Sequence, residues 1–304
     1  MINNLKNQGV NAKLLEKVEK EVSNFNIDSE YTYRIPNNEI VYMGKDIWEQ
    51  AITAILQGQN LLLVGPKSTG KNLLANNLAS LFNRPSFNVS LNINTDESQL
   101  IGSDTFIDNQ VTFRDGPISL ASRIGGFVIL DEINMAKNEA LSILHSTLDD
   151  RRIIDIPGYD LIEISPHTRF IGTMNYGYLG TRDLNEALVS RFMILELPSI
   201  SDEHLSSLIE INYPNISEEY KNRFTKLFRD IETKVTNSEI SSKCLDLRGL
   251  ISAIGSIELG LAPVKAIEMG IVNKTFDDFE RKLVMDIVLA NFSKNDTGDQ
   301  VFNG

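Results

Sequence analysis

Four consecutive apolar residues, Leu61 to Val64, run directly into GPKSTGKN (Gly65 to Asn72) and then into a stretch carrying Leu74, Leu78 and Leu81. A continuous apolar run of this length marks a strand covered on both faces, as in a parallel sheet flanked by helices. The leucine spacing that follows is helical. Between them, G-x-x-x-x-G-K supplies what a backbone needs to wrap a phosphate. Its glycines take dihedrals that a Cβ would forbid, and its lysine stands at the start of a helix. The bare pattern arises by chance in roughly one chain of this length in ten. The strand leading in and the helix leading out give it weight.

Asn72 occupies the position where such a loop usually has Ser or Thr, whose hydroxyl ligates Mg²⁺. An amide oxygen still coordinates a hard cation, directly or through water, but with a longer reach. The expectation is retuned metal binding with nucleotide binding retained.

The alternation of strand and helix continues: strands at Phe87 to Leu91, Phe127 to Leu130, Arg169 to Met174 and Phe192 to Leu197, and helices at Pro117 to Gly125 and Lys137 to Leu148. This order predicts an α/β sandwich with a parallel sheet. After Pro198 the strands stop. Ser201 and Ser217 read as helix caps, Tyr220, Phe224, Phe228 and Ile231 form an apolar stripe, and helices are expected over 247–257, 263–271 and 277–292. Three parts follow: an N-terminal appendage over 1–38 (a short amphipathic helix, then extended YTYRIP), an α/β body over 39–199, and an all-helical region over 200–304 with a frayed polar tail.

FVILDE (Phe127 to Glu132) places two acids after four apolar strand residues, at the carboxyl edge of the sheet where ligands of open α/β folds bind. Asp131 suits a Mg²⁺ ligand and Glu132 suits a group that polarises an attacking water.

With these motifs in this order, the chain from Glu39 onward resembles AAA+ ATPases, which implies a P-loop NTPase α/β core followed by an all-helical lid. FIGTMN (Phe170 to Asn175) is similar to the family's sensor-1 strand, which assigns water placement to Asn175. LNEALVSRF (Leu184 to Phe192) resembles the segment that presents an arginine finger, making Arg191 the candidate and Arg182 the second. A permanently charged planar donor suits charge developing on a transferring phosphoryl group. LDLRGL resembles the sensor-2 element, so Arg248 would reach the γ-phosphate. IVYMG, with Met43 and Gly44, lies where the family packs adenine. The resemblance also assigns Gly65, Pro66, Lys67, Ser68, Thr69, Gly70, Lys71 and Asn72 to the phosphates, and Asp131 with Asn72 to Mg²⁺.

TDESQLIGSD, DGPISLASRIGG and GTRDLNEALVSRF are similar to signatures of the MoxR branch, including NorQ/CbbQ-type and dynein-related relatives. Hairpins are expected near 101–116, turning at Asp108–Asn109, and over 151–164, the first where that branch carries an insert facing the pore of its ring. The branch implies a homohexameric ring that uses Mg²⁺ and ATP to remodel a client protein, acting with a protein that carries a von Willebrand factor A domain. Activation of a metalloenzyme is a common setting.

Composition separates the remaining classes. The net charge of −12 and the absence of a long basic run oppose a nucleic-acid motor as the alternative reading. A third reading, an ATP-binding scaffold with weak hydrolysis, rests on Asn72. The single cysteine, Cys244, excludes an internal disulfide, and three unclustered histidines offer no metal-ligand spacing. No apolar run approaches the roughly 18 residues of a membrane span, and MINNLKNQGV lacks the apolar centre of a signal peptide. A cytoplasmic location is therefore expected.

Overall fold

The computed structural model describes residues 1–38, 40–107, 109–175 and 183–302. The chain divides into two compact units, Met1–Pro66 with Gly70–Pro198, and Lys67–Thr69 with Ser199–Gly304.

Among the described residues, the first unit is built on nine strands: β1 (Leu61–Val64), β2 (Ser86–Ser90), β3 (Gly102–Ile107), β4 (Gln110–Asp115), β5 (Phe127–Asp131), β6 (Ile153–Ile154), β7 (Ile162–Glu163), β8 (Arg169–Met174) and β9 (Met193–Glu196). Five of them form one parallel sheet in the order β2-β5-β8-β1-β9. Successive side chains of a strand point to opposite faces, and here both faces are apolar. Leu61, Leu63, Phe127 and Ile129 join one core cluster with Trp48, Ile52, Leu74 and Leu78. Leu62, Val64, Val128 and Leu130 join another with Leu100, Ile118, Leu144 and Phe170. The unbroken apolar runs of the sequence are thus two interleaved period-2 patterns, one for each layer of helices.

The N-terminal segment is integrated into this unit. Helices Ile2–Asn7 and Ala12–Ser23 send Leu5, Leu15 and Val18 into the first cluster. The expected extended stretch at YTYRIP is instead a 3-10 helix over Ser29–Arg34. The Asp28 carboxylate accepts the Glu30 N–H, a local capping bond that starts the turn.

Strands β3 and β4 form an antiparallel hairpin paired from Gly102↔Asp115 to Ile107↔Gln110; Asp108, at its expected turn, lies outside the described residues. Strands β6 and β7 form a second, two-residue ladder.

The second unit is helical: Asp202–Asn212, Glu218–Thr236, Leu247–Glu258, Pro263–Gly270, Asp278–Asn291 and Gly298–Val301. Ser201 and Ser217 cap the first two through the N–H groups of His204 and Tyr220. Phe224, Phe228, Ile231, Leu250, Ile254, Val284 and Phe292 form its core. The tail corrects the sequence expectation. Thr297 and Gln300 close a capping box, Val301 is fully buried, and its carbonyl accepts the Ser217 N–H. A polar composition concealed one well-placed apolar anchor.

Candidate active site

The strand order decides what meets at the carboxyl edge. β8 lies between β1, which feeds the glycine loop, and β5, which ends in the acids. The register sets Thr173 beside Leu63 on one side, and pairs Leu130 with Gly172 on the other, which brings Asp131 level with Thr173.

The loop opens with the Gly65 N–H donating to the Met174 carbonyl at 3.3 Å. Ser68 and Gly70 take left-handed dihedrals, with φ of 63° and 82°. A Cβ on Gly70 would come within 3.1 Å of the Tyr42 ring, so this side of the cradle admits only glycine without displacement. Helix Lys71–Leu81 starts with no side-chain cap, the condition under which its first-turn N–H groups can serve an anion. Lys71 is 8% exposed, and its ammonium donates to the carbonyls of Gly65 at 2.9 Å and Pro66 at 2.6 Å. Burial pulls its pKa down to about 8, opposed by the charges of Asp131 and Glu132.

Asp131 is held on both oxygens. Asn72 Nδ2 donates to Oδ2 at 2.8 Å, and the Thr173 hydroxyl donates to Oδ1. The same Thr173 oxygen accepts the Glu132 N–H at 3.1 Å. Glu132 itself sits at φ 55°, ψ 47°, a conformation costing a non-glycine residue about 1–3 kcal/mol, and its side chain is exposed. Buried Asn134 donates to the Asn175 carbonyl at 2.9 Å, tying the end of β8 to the turn after β5.

Met43 and Gly44 follow Tyr42, whose backbone is fixed by three bonds: its N–H to Asn77 Oδ1 at 2.7 Å, and its carbonyl from Trp48 Nε1 at 2.9 Å and Gln8 Nε2 at 3.0 Å. Gln8 Oε1 also accepts the Gly44 N–H. Burial pushes the Tyr42 hydroxyl up to about 12, so the ring remains a neutral wall.

Arg191 follows the short helix Glu186–Val189, and its guanidinium donates to the Ala187 carbonyl. Arg248 lies in the first turn of Leu247–Glu258, in the second unit. Arg182 lies outside the described residues.

Lys71, Asn72, Asp131 and the end of β8 therefore meet, as the motifs suggest. Thr173, Asn134, Tyr42 and Asn77 are additions that motif reading missed. The one available signal was Asn77, a polar residue among the apolar positions of a helix. Among the described residues no cluster of three or more His, Cys, Asp or Glu forms a metal site. One carboxylate and one amide oxygen, completed by substrate phosphates and water, is nonetheless a donor set that fits Mg²⁺.

A family model described as an AAA domain of the dynein-related subfamily matches residues 60–192. Uncharacterized protein YojN of Bacillus subtilis is 36% identical over 248 residues, covering 80% of this chain and 81% of that one. Uncharacterized protein SERP0979 of Staphylococcus epidermidis is 30% identical over 262 residues, covering 84% and 99%. Among solved structures, a point mutant of RuvB from Thermotoga maritima matches with a TM-score of 0.48 at 18% identity, over 80% of this chain and 68% of that one. Among the described residues, no helix is long and apolar enough to cross a membrane.

Proposed function

The chain belongs to the AAA+ ATPase family, and from that premise we propose that it binds and hydrolyses Mg²⁺-ATP to remodel a client protein. The observation that carries this reading is the meeting of Lys71, Asn72, Asp131 and Thr173 at one edge of a parallel sheet. The backbone of 65–70 wraps the phosphates, and the Lys71 ammonium leaves the loop carbonyls for the β- and γ-phosphates. Asp131 and Asn72 would hold Mg²⁺, which would supply charge neutralisation at the phosphoryl oxygens. Glu132 polarises the attacking water and Asn175 places it. Arg191, from a neighbouring copy in a hexameric ring, and Arg248 supply charge to the transferred group. Met43 and Gly44 border the adenine. A von Willebrand A-domain protein is the expected co-partner, and the exposed Phe106 and Val111 of the β3–β4 hairpin are the surface offered to the client.

Glu132→Gln tests the core of the proposal. The variant is expected to keep nucleotide affinity in calorimetry while turnover falls about 10²-fold or more. Full turnover would remove Glu132 from its role. DNA-stimulated, salt-sensitive hydrolysis would instead move the protein to the nucleic-acid motors.

A slower variant of the same engine is favoured by the 2.8 Å bond from Asn72 to Asp131, which engages one oxygen of the carboxylate that would hold Mg²⁺. Asn72→Thr frees that oxygen and restores a hydroxyl ligand. A rise in turnover of two orders of magnitude or more assigns the native chain to nucleotide-gated binding rather than fast hydrolysis.

A further inference from the structure

A small cavity of about 40 Å³ lies at the amino edge of the sheet, the edge opposite the glycine loop and the acids. It is bordered by Arg84, Arg169, His167 and Glu21, with Phe82 and Phe127 as apolar walls. Phe127 begins β5, Arg169 begins β8, and the two are paired in register. Glu21 comes from helix Ala12–Ser23, so the N-terminal segment supplies part of the wall.

The charges do not balance. Two guanidinium groups face one carboxylate, and Arg152 adds a third positive charge that acts on Arg169. Arg84 is 1% exposed. Its Nη2 donates to Glu21 Oε1 at 3.1 Å, and its Cζ lies 3.4 Å from the centroid of the Phe25 ring. Its Nη1 is buried without a hydrogen-bond partner. His167 Nδ1 lies 2.9 Å from the same Glu21 oxygen and 3.2 Å from Arg84 Nη2. A guanidinium nitrogen only donates, so Arg84 Nη2 gives its proton to Glu21 Oε1, and His167 Nδ1 donates to that oxygen in one tautomer or accepts from Arg84 in the other. That carboxylate oxygen is committed, and Arg84 Nη1 remains over. Arg169 spends Nε on the Ile55 carbonyl and Nη1 on the carbonyls of Pro166 and Thr168. Those bonds fix its position without neutralising it.

An unpaired buried donor on a charged group is among the more costly features a fold can retain. The cavity that Arg84 lines offers about three times the roughly 10–15 Å³ that one water needs in this measure. That is room for one small oxyanion and too little for a nucleotide. Burial pulls both Arg84 and Arg169 down to about 10, which still leaves both charged at neutral pH.

We propose that this cavity binds a single small oxyanion of the phosphate type, held by Arg84 Nη1 with Arg169 and His167 at its border. The site lies wholly in the first unit and stands whether or not the chain hydrolyses ATP. Free inorganic phosphate is the occupant favoured by the small volume.

The test separates this site from the glycine loop by working in a Lys71→Ala background. Inorganic phosphate, compared with chloride at matched ionic strength, is expected to raise the thermal midpoint by about 3 °C at tenfold excess over Kd, and logarithmically with concentration beyond it. Adding Arg84→Met should abolish the rise. A rise that persists in the double variant, or none in Lys71→Ala, overturns the proposal. Should the arginine variant not fold, native crystals soaked in selenate give an independent reading. An anomalous selenium peak within hydrogen-bond distance of Arg84 Nη1 supports the site, and water alone at that position overturns it.

Discussion

Thr173 illustrates how much of the site depends on one hydroxyl. It donates to Asp131 and accepts from the Glu132 N–H, so it sets both the carboxylate and the strained backbone of the residue that follows. Thr173→Val keeps the shape and removes both bonds, leaving a partly buried N–H without its acceptor. The expected cost is about 2 kcal/mol in urea denaturation, together with reduced turnover at unchanged nucleotide affinity, and Thr173→Ser should restore both. Lys71 makes a different prediction, in pH. Its folded pKa is depressed to about 8, so between about 8 and 10.5 the unfolded chain holds more protons, and stability rises with pH through that window. The difference in unfolding free energy between native protein and Lys71→Met should therefore climb across it, by up to roughly 3 kcal/mol. Saturating ATP should flatten the climb, because the phosphates stabilise the ammonium. A difference independent of pH would show that Lys71 is not held charged against burial. Lys71, Asn72 and Asp131 were legible because phosphate and metal chemistry leave few choices of residue and spacing. Thr173 was not, since a threonine near the end of a strand reads equally as a β-former. Asn134 and Tyr42 act through backbone groups distant in sequence, which no local pattern records.

At the scale of elements, the sheet was readable because two-sided burial writes itself as unbroken apolar runs. The hairpin β3–β4 was readable from its turn residues at Asp108–Asn109, and the structure adds what holds its base. A Cβ on Gly102 would lie 2.2 Å from the Arg114 carbonyl oxygen, and one on Gly116 would lie 2.7 Å from the Gly102 nitrogen. Backbone meets backbone at the base of the hairpin, and the Gly116 N–H donates to the Ile101 carbonyl there at 2.7 Å. The glycines of LIGSD and DGPIS thus form a clasp, which gives those signatures a mechanical meaning. Gly102 also sits at φ 127°, so Gly102→Ala suffers both contact and strain. Limited proteolysis should then cut within 102–115 at least tenfold faster than in the native chain, with the P-loop still binding nucleotide. Unchanged protection would mean the clasp yields without cost. The 3-10 turn at 29–34 and the ordered tail stayed hidden because each rests on a single local device: an aspartate cap in one case and a capping box with one valine in the other.

At the scale of the whole molecule, each unit has apolar clusters of its own. The second is closed around Phe224, Phe228, Leu250, Val284 and Phe292, and one of its helix crossings is made by a pair of glycines. A Cβ on Gly249 would lie 2.1 Å from the Gly270 carbonyl oxygen, so helices Leu247–Glu258 and Pro263–Gly270 approach as closely as backbones allow. Val301 seals the same core from the chain's end, and Phe302 bridges to Ile216 beside it. A core so enclosed predicts that the fragment 199–304 folds by itself. The expected signature is a helical circular-dichroism spectrum and one cooperative urea transition, with a slope of about 1–2 kcal/mol/M. Val301→Asp buries a charge with no partner and should abolish that cooperativity in the fragment. A fragment that binds hydrophobic dye and melts gradually would show that this core depends on the α/β unit for closure. The ordered tail would then be a consequence of the full chain rather than a seal the second unit makes for itself.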